Sequence, residues 1–168
     1  AISAGSLGIG CKNVVATPRE LNEQLTALRK GVHGWSLEEG GLFVERFIDG
    51  AEFTTFIVGS ARDYDNAIVY PAVERVFNRK LPPNERFLSF DRLWEFYENE
   101  SPVGQGEELW QYAPAPASLA QRIHEVSWAA YEAVGGTGYG RIDLRMDART
   151  GDLFVLEVNA QCGLSEDE

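Results

Sequence analysis

The sequence predicts an α+β fold in which most strands are antiparallel. Three observations support this prediction. Near the C-terminus, two stretches of alternating apolar and polar residues, 138–147 and 152–159, flank a turn rich in Asp, Thr and Gly. A second pair of strand-like stretches, 42–48 and 52–58, flanks Asp49-Gly50, which is a strong hairpin signal. Helical segments with start and stop residues separate the strands.

The first third of the chain combines a glycine-rich stretch with a capped helix. Residues 5–10 read Gly-Ser-Leu-Gly-Ile-Gly. The backbone N–H groups of such a loop can approach a phosphate, although the stretch matches neither the P-loop nor the dinucleotide-binding pattern, and an ordinary turn is the alternative. Thr17 as N-cap and Glu20 as its partner in a capping box predict a helix that ends at Gly31.

The middle of the chain is predicted to be less regular. Residues 66–73 are expected to form a third strand after the Asp49-Gly50 hairpin. Residues 75–112 contain several prolines and glycines with mixed periodicity, which is typical of a substrate loop. Residues 117–134 have apolar positions at helical spacing and end at two glycines, so they predict the second helix.

Composition limits the class of protein and its partners. The chain has 168 residues, of which 44% are hydrophobic and 24% charged, which predicts a globular domain with a substantial core. A net charge of −11 argues against a nucleic-acid surface. No apolar run or leader pattern predicts a membrane helix or signal peptide, and a start without Met predicts a longer parent protein. Cys11 and Cys162 lack metal or redox spacing, which favours the cytoplasm.

The C-terminal hairpin is the most informative stretch. Its strands have one apolar face and one polar face. Aligning the apolar positions, with Met146 at Phe154 or a neighbour, sets Asp143 opposite Glu157. The same register sets Arg141 opposite Asn159. The predicted apolar face consists of Ile142, Leu144, Met146, Phe154, Leu156 and Val158.

The predicted facing of Asp143 and Glu157 has a chemical consequence. Directly opposed side chains have Cβ atoms about 4.5–5.5 Å apart, and like charges at that separation repel unless a proton or cation neutralises them. Asn159 adds a third oxygen to the same face, and three oxygen ligands suit Mg²⁺. The alternative is a solvated polar face. The hypothesis predicts a raised pKa for one carboxyl and a stability that Asp143→Asn keeps or improves.

Together these stretches resemble the ATP-grasp superfamily, and within it the D-alanine–D-alanine ligase group. AGSLGIG, from residue 4, resembles the mobile loop over the ATP phosphates. LFVERFIDGAEFT, from residue 42, resembles the hinge strand and hairpin that hold adenosine. GYGRIDLRMD, from residue 138, and LEVNAQCG, from residue 156, resemble the family's metal-binding strands. The resemblance implies two lobes around a nucleotide cleft, a small lobe at 1–48 and a large lobe at 49–168, incomplete at the N-terminus.

The resemblance also implies the cofactors and a role for each matched residue. ATP and Mg²⁺, or Mn²⁺, are the implied cofactors. Arg141 and Ser6 are implied to be catalytic. The implied contacts are Glu45, Arg46 and Ile48 with adenine, Glu52 with ribose, Ser6, Leu7 and Gly8 with phosphates, and Asp143, Glu157 and Asn159 with the metal.

The implied activity is that of a carboxylate–amine ligase that uses ATP to make an acyl phosphate. Its partners would be a small-molecule carboxylate and an amine, and the resemblance is compatible with a homodimer. The sequence departs from the family pattern at Leu93-Trp94, where the substrate loop has a Lys-Tyr pair, and at Cys162, where the family has proline. The family's phosphate-binding lysine would precede Ala1. The alternative is a degenerate, non-catalytic ATP-binding module, and residues 1–168 alone are expected to bind ATP weakly and lack ligase activity.

Overall fold

The computed structural model describes residues 9–32, 34, 41–93, 103, 106–160 and 162–164. These residues belong to two compact units. One unit comprises Ala1–Phe47 and Phe77–Leu109, and the other comprises Ile48–Val76 and Trp110–Glu168. The lobe boundary between residues 48 and 49 stays a prediction.

The described elements alternate between short helices and strands. The helices are α1 (Pro18–Arg29), α2 (Phe90–Leu93) and α3 (Ala120–Ala133), with short 3₁₀ helices at Cys11–Asn13, Tyr64–Asn66 and Pro83–Glu85. The strands are β1 (Glu52–Ser60), β2 (Ile68–Val69), β3 (Val73–Phe77), β4 (Trp110–Pro114), β5 (Thr137–Met146) and β6 (Leu153–Asn159).

One sheet organises the second unit. Its strand order is β4-β3-β1-β5-β6, and β2 pairs with β1. The pairs of β1 with β2, β3 and β5 are antiparallel, and so is the pair of β5 with β6. The predicted α+β class with mostly antiparallel strands is therefore confirmed. The long strands β1 and β5 lie at the centre, so residues on them have neighbours on both sides.

One face of this sheet forms the core with α3. Phe53 and Ile57 of β1 and Ile142 and Leu144 of β5 are each at most 1% exposed. They pack in one cluster with two residues of α3, Ile123 and Tyr131. Since side chains alternate between faces along a strand, the intervening residues of β1 and β5 lie on the opposite face. Burial of the apolar face by α3 thus fixes which residues form the polar face.

The helix predictions are confirmed. The Thr17 hydroxyl accepts a hydrogen bond from the Glu20 N–H at 3.2 Å, and the Glu20 carboxylate accepts one from the Thr17 N–H at 3.2 Å. This reciprocal pair is the predicted capping box at the start of α1. The backbone N–H groups of Ala16 and Thr17 lower the pKa of Glu20, with the Ala16 N–H as the largest cause. The helix at α3 begins and ends inside the predicted segment.

The hairpin predicted at Asp49-Gly50 is wrong. Residues 41–49 form no strand, and β1 pairs instead with β3 and β5. The Asp49 carbonyl accepts a hydrogen bond from the Ala148 N–H at 2.8 Å. A Cβ atom at Gly50 would lie 1.8 Å from the Met146 carbonyl oxygen. Glycine is therefore required here because the backbone of β5 approaches closely, and not because a tight turn joins two strands.

The third predicted strand, residues 66–73, is also revised. Its start lies in a 3₁₀ helix, Tyr64–Asn66, and the remainder divides into the short strand β2 and the first residue of β3. Both strands pair with β1, but at different positions along it. The register along β1 shifts by one residue between them, so the regular pairing of this segment with β1 is interrupted. None of the helices in the described parts of the chain is long and apolar enough to cross a membrane.

Candidate functional site

The polar face of the sheet brings together the residues that the hairpin pattern singled out. Asp143 pairs with Glu157 across β5 and β6, and Arg141 pairs with Asn159. Both facing pairs were predicted from the sequence, and both are confirmed. On its other side, Asp143 pairs with Thr54 of β1. Asp143 thus lies between two neighbouring strands, at the middle of the polar face.

Asp143 is held in place by two side chains. Its carboxylate accepts a hydrogen bond from the Thr54 hydroxyl at 2.5 Å. It also accepts bonds from Arg141, with Nε 3.1 Å from each oxygen and Nη2 2.9 Å from Oδ2. Only 6% of Asp143 is exposed. The carboxylate is therefore largely withdrawn from water, and these two partners supply hydrogen bonds to both of its oxygens.

Arg141 bridges the two facing carboxylates. Its Nη2 atom lies 3.4 Å from Glu157 Oε1 as well as 2.9 Å from Asp143 Oδ2. Burial raises the pKa of Glu157, and the hydrogen bond and negative charge of Asp143 raise it further, while Arg141 opposes both. The pKa of one carboxyl is therefore raised, as predicted, but burial is a larger cause than the predicted repulsion from Asp143. Burial lowers the pKa of Arg141, but its bonds to Asp143 and the charges of both acids outweigh burial and raise it.

A β-bulge sets the position of Glu157. From Met146 to Leu144 the partners on β6 are Leu153, Phe154 and Val155, yet the next pair is Asp143 with Glu157. Leu156 is therefore the extra residue in β6, and it is 50% exposed. The predicted places of Leu156 and Phe154 on the buried apolar face are wrong, because the bulge breaks strict alternation and Phe154 pairs with Arg145 of the polar face. Without the bulge, Leu156 would face Asp143.

The candidate ribose residue, Glu52, lies on the same polar face. It is 5% exposed, and it forms ion pairs with Arg75 and Arg145. Sequence reasoning missed both arginines. Arg145 shares the alternation of Arg141 and Asp143 along β5, so the pattern could have placed it on this face. Arg75 comes from a different strand, β3, and no local pattern connects it to Glu52.

The other predicted nucleotide contacts belong to both units or lie outside the described residues. Glu45 and Arg46 are exposed residues of the first unit, and Ile48 is a half-buried residue of the second. The predicted phosphate contacts at residues 6–8 lie outside the described residues. Among the residues that the structure describes, no three His, Cys, Asp or Glu side chains group as a metal site. The predicted metal set differs in kind, since it consists of two carboxylates and the amide of Asn159.

The fold defines the class of protein. The antiparallel sheet, with an arginine and facing carboxylates on one side and a helix on the other, is that of the ATP-grasp fold. D-alanine–D-alanine ligase from Bacillus anthracis, solved in complex with ATP, superposes with a TM-score of 0.52 at 18% identity, over 87% of this chain and 36% of that chain. This likeness shows the fold.

The sequence assigns the family within that class. The chain belongs to the family described as D-ala D-ala ligase C-terminus, which matches residues 4–167. It is 31% identical to D-alanine–D-alanine ligase of Carboxydothermus hydrogenoformans over 124 residues, which is 74% of this chain and 34% of that protein. The ligase of Pseudoalteromonas translucida is 28% identical over 153 residues, which is 90% of this chain and 40% of that protein. The chain thus matches less than half the length of these curated relatives.

Proposed function

We propose that this chain is the ATP-binding and metal-binding part of a carboxylate–amine ligase that works through an acyl phosphate. The observation that carries the proposal is the facing of Asp143 and Glu157, with Arg141 between them, in a chain of the D-alanine–D-alanine ligase C-terminal family. The relatives named above are D-alanine–D-alanine ligases, which supports D-alanine as the first carboxylate and amine to test.

The residues on the polar face fit a hard divalent cation. Asp143, Glu157 and Asn159 offer two carboxylates and an amide oxygen, and Mg²⁺ in proteins prefers such oxygen ligands together with substrate phosphates. Mn²⁺ has similar preferences. When bound, the cation would neutralise charge on the ATP phosphates. Arg141 bonds both oxygens of Asp143 here, so a cation at Asp143 would either share the carboxylate with the guanidinium or displace it.

Each residue of the polar face has a role in this proposal. Arg141 stabilises negative charge on the transferred phosphoryl group and on the tetrahedral intermediate, since its guanidinium lies beside both candidate carboxylate ligands of the metal. Thr54 orients Asp143 through its hydroxyl. Further nucleotide contacts are proposed at adenine (Glu45, Arg46, Ile48), at ribose (Glu52) and at the phosphates (Ser6, Leu7, Gly8, with Ser6 also catalytic).

The proposal extends to the setting of the reaction. The two lobes, 1–48 and 49–168, are proposed to enclose the nucleotide, and the partners are a small carboxylate and a small amine rather than nucleic acid or membrane. A net charge of −11 supports this choice of partners. The cytoplasm is proposed as the location, where cysteines such as the buried Cys11 and Cys162 stay as thiols. A homodimer is proposed as the assembly.

The test is a ligase assay on the complete natural protein. Mg²⁺-dependent phosphate release from ATP is expected to require D-alanine or another small amino acid. Arg141→Gln should lower kcat about 10²–10³-fold, which is the usual effect of removing one preorganised donor. Arg149→Gln, in the exposed β5–β6 turn, is the matched control and should retain the wild-type rate. ATP binding without turnover across a panel of amino acids would refute the ligase and favour the non-catalytic module.

A further inference from the structure

A second charge cluster lies on the polar face, beside the candidate metal ligands. Glu52 of β1 pairs across the sheet with Arg75 of β3 on one side and with Arg145 of β5 on the other. The three side chains are only 5%, 8% and 3% exposed, respectively. A buried ionised group is costly unless it is paired. The cluster therefore pairs its one carboxylate with two guanidinium groups and carries a net positive charge.

The two arginines hold Glu52 unequally. Arg75 Nη1 donates to Oε1 of Glu52, and Arg75 is also held from its other side. Its Nη2 atom donates to the Tyr112 hydroxyl at 2.9 Å, and its guanidinium carbon lies 5.4 Å from the centre of the Tyr112 ring. Arg145 Nη1 reaches Oε2 of Glu52 only at 3.5 Å, the long limit of a hydrogen bond. The Oε1 side is thus firmly fixed, whereas Oε2 is weakly engaged.

We propose that Arg75, fixed by Tyr112, is a positioning residue that holds Glu52 through Oε1 and leaves Oε2 to accept a hydrogen bond from a ribose hydroxyl. This inference rests on the proposed function, because it assumes that Glu52 receives the ribose of ATP. It adds to that function a second layer, Arg75 and Tyr112, that no sequence pattern indicated. A carboxylate has about four acceptor positions, so Oε2 can accept from a hydroxyl while it faces Arg145.

The charge state of Glu52 explains why Arg75 matters. Burial raises the pKa of Glu52, and the positive charges of Arg75 and then Arg145 act against that rise. Burial lowers the pKa of Arg75, but Glu52 and Tyr112 outweigh burial and raise that pKa above its usual value. Loss of Arg75 therefore shifts Glu52 towards the neutral acid. A neutral carboxyl accepts a weaker hydrogen bond than a carboxylate does, so ribose recognition should suffer.

The experiment compares two nucleotides on the complete natural protein in the presence of Mg²⁺. Equilibrium binding is measured for ATP and for 2′,3′-dideoxyATP, which lacks the ribose hydroxyls. Wild-type protein should prefer ATP by about tenfold or more, since a hydrogen bond to a charged group contributes about that factor. Arg75→Gln should reduce the preference to less than about threefold, as Glu52→Gln does. Arg62→Gln, at an exposed turn position, is the control and should keep the wild-type ratio.

Tyr112→Phe keeps the result interpretable if Arg75→Gln fails to fold. Tyr112 is 56% exposed, and Phe retains the ring while removing the hydroxyl, so the sheet should be preserved. The preference for ATP should fall in this variant too, by a smaller factor. If Arg75 and Tyr112 have a purely structural role, the affinities for both nucleotides should fall equally. An unchanged ratio of the two affinities in Arg75→Gln and Tyr112→Phe therefore overturns this inference but leaves the proposed function standing. Wild-type protein that binds no ATP overturns the proposed function and this inference with it, whereas equal binding of both nucleotides overturns only the inference.

Discussion

Replacing Asp143 by Asn tests whether Arg141 or Glu157 dominates the surroundings of this carboxylate. If repulsion from the facing Glu157 dominates, the substitution should leave the metal-free chain as stable or more stable. The structure predicts the opposite sign. Asp143 accepts bonds from Arg141 at both oxygens and from the Thr54 hydroxyl, and Asn has only one acceptor oxygen for these donors.

The size of the effect follows from these contacts. A hydrogen bond to a charged group contributes about 1.5–3 kcal/mol, but Arg141 is one-third exposed, so its contribution is reduced by solvent. The substitution also removes the repulsion between Asp143 and Glu157, which offsets a further part of the lost hydrogen-bond energy. The net expectation for Asp143→Asn is a loss of about 1–2 kcal/mol in the free energy of unfolding.

The assay is urea unfolding in EDTA, followed by tryptophan fluorescence and by circular dichroism. The urea concentration at which half of the chain is unfolded should fall. The slope of the free energy of unfolding against urea concentration should stay constant, since a different slope would indicate a change in the compactness of the folded or unfolded state. An Asp143→Asn chain as stable as the wild type would refute the argument, since it would show that the bonds from Arg141 and Thr54 do not outweigh repulsion. Asp143→Ala should cost more than Asp143→Asn, because it leaves the Arg141 guanidinium without its main acceptor.

Three further predictions concern the metal-free chain. Glu157→Gln should change the free energy of unfolding by less than about 0.5 kcal/mol, because this side chain is largely exposed. Because the pKa of Glu157 is raised in the folded chain, the folded chain binds more protons than the unfolded chain at pH values between the ordinary and the raised pKa. Wild-type stability should therefore fall as pH rises through that window, and pH-dependent unfolding of the Gln variant should lack that fall. Ile142→Ala should cost about 2–5 kcal/mol in urea unfolding, and Ile142→Val about 0.5–1.5 kcal/mol, because Ile142 is fully buried. Thr17→Ala should cost about 0.5–2 kcal/mol through loss of the helix cap, whereas Thr17→Ser should retain most of the stability in the same assay.

The sequence was a good guide where partners are close along the chain. The register that faces Asp143 with Glu157 could be predicted because one short turn joins the two strands, and the apolar positions allow few alignments. The capping box of α1 lies within four residues, so its pattern is local as well. In both cases the residues that interact lie within the short stretch whose pattern predicts the interaction.

The sequence was a poor guide where partners are distant. Asp49-Gly50 looks like a hairpin turn, but β1 finds its partners in β3 and in β5, which lies about ninety residues later. The ion pairs of Glu52 with Arg75 and Arg145 span sequence separations of 23 and 93 residues. Such contacts depend on the strand order of the whole sheet, which no local pattern of charge or hydrophobicity determines.

The extra residue at Leu156 shifts the register of the β5–β6 ladder by one residue. On the turn side of the bulge the facing pairs are mainly apolar, whereas on its other side two polar pairs flank the apolar pair of Ile142 and Val158. A bulge also increases the local twist of its strand. The angle at which Glu157 meets Asp143 is therefore set by strand curvature as well as by residue identity. An engineered chain that lacks Leu156 would keep the same facing partners on an unbroken ladder, so it would show how far the bulge sets the angle at which Glu157 meets Asp143.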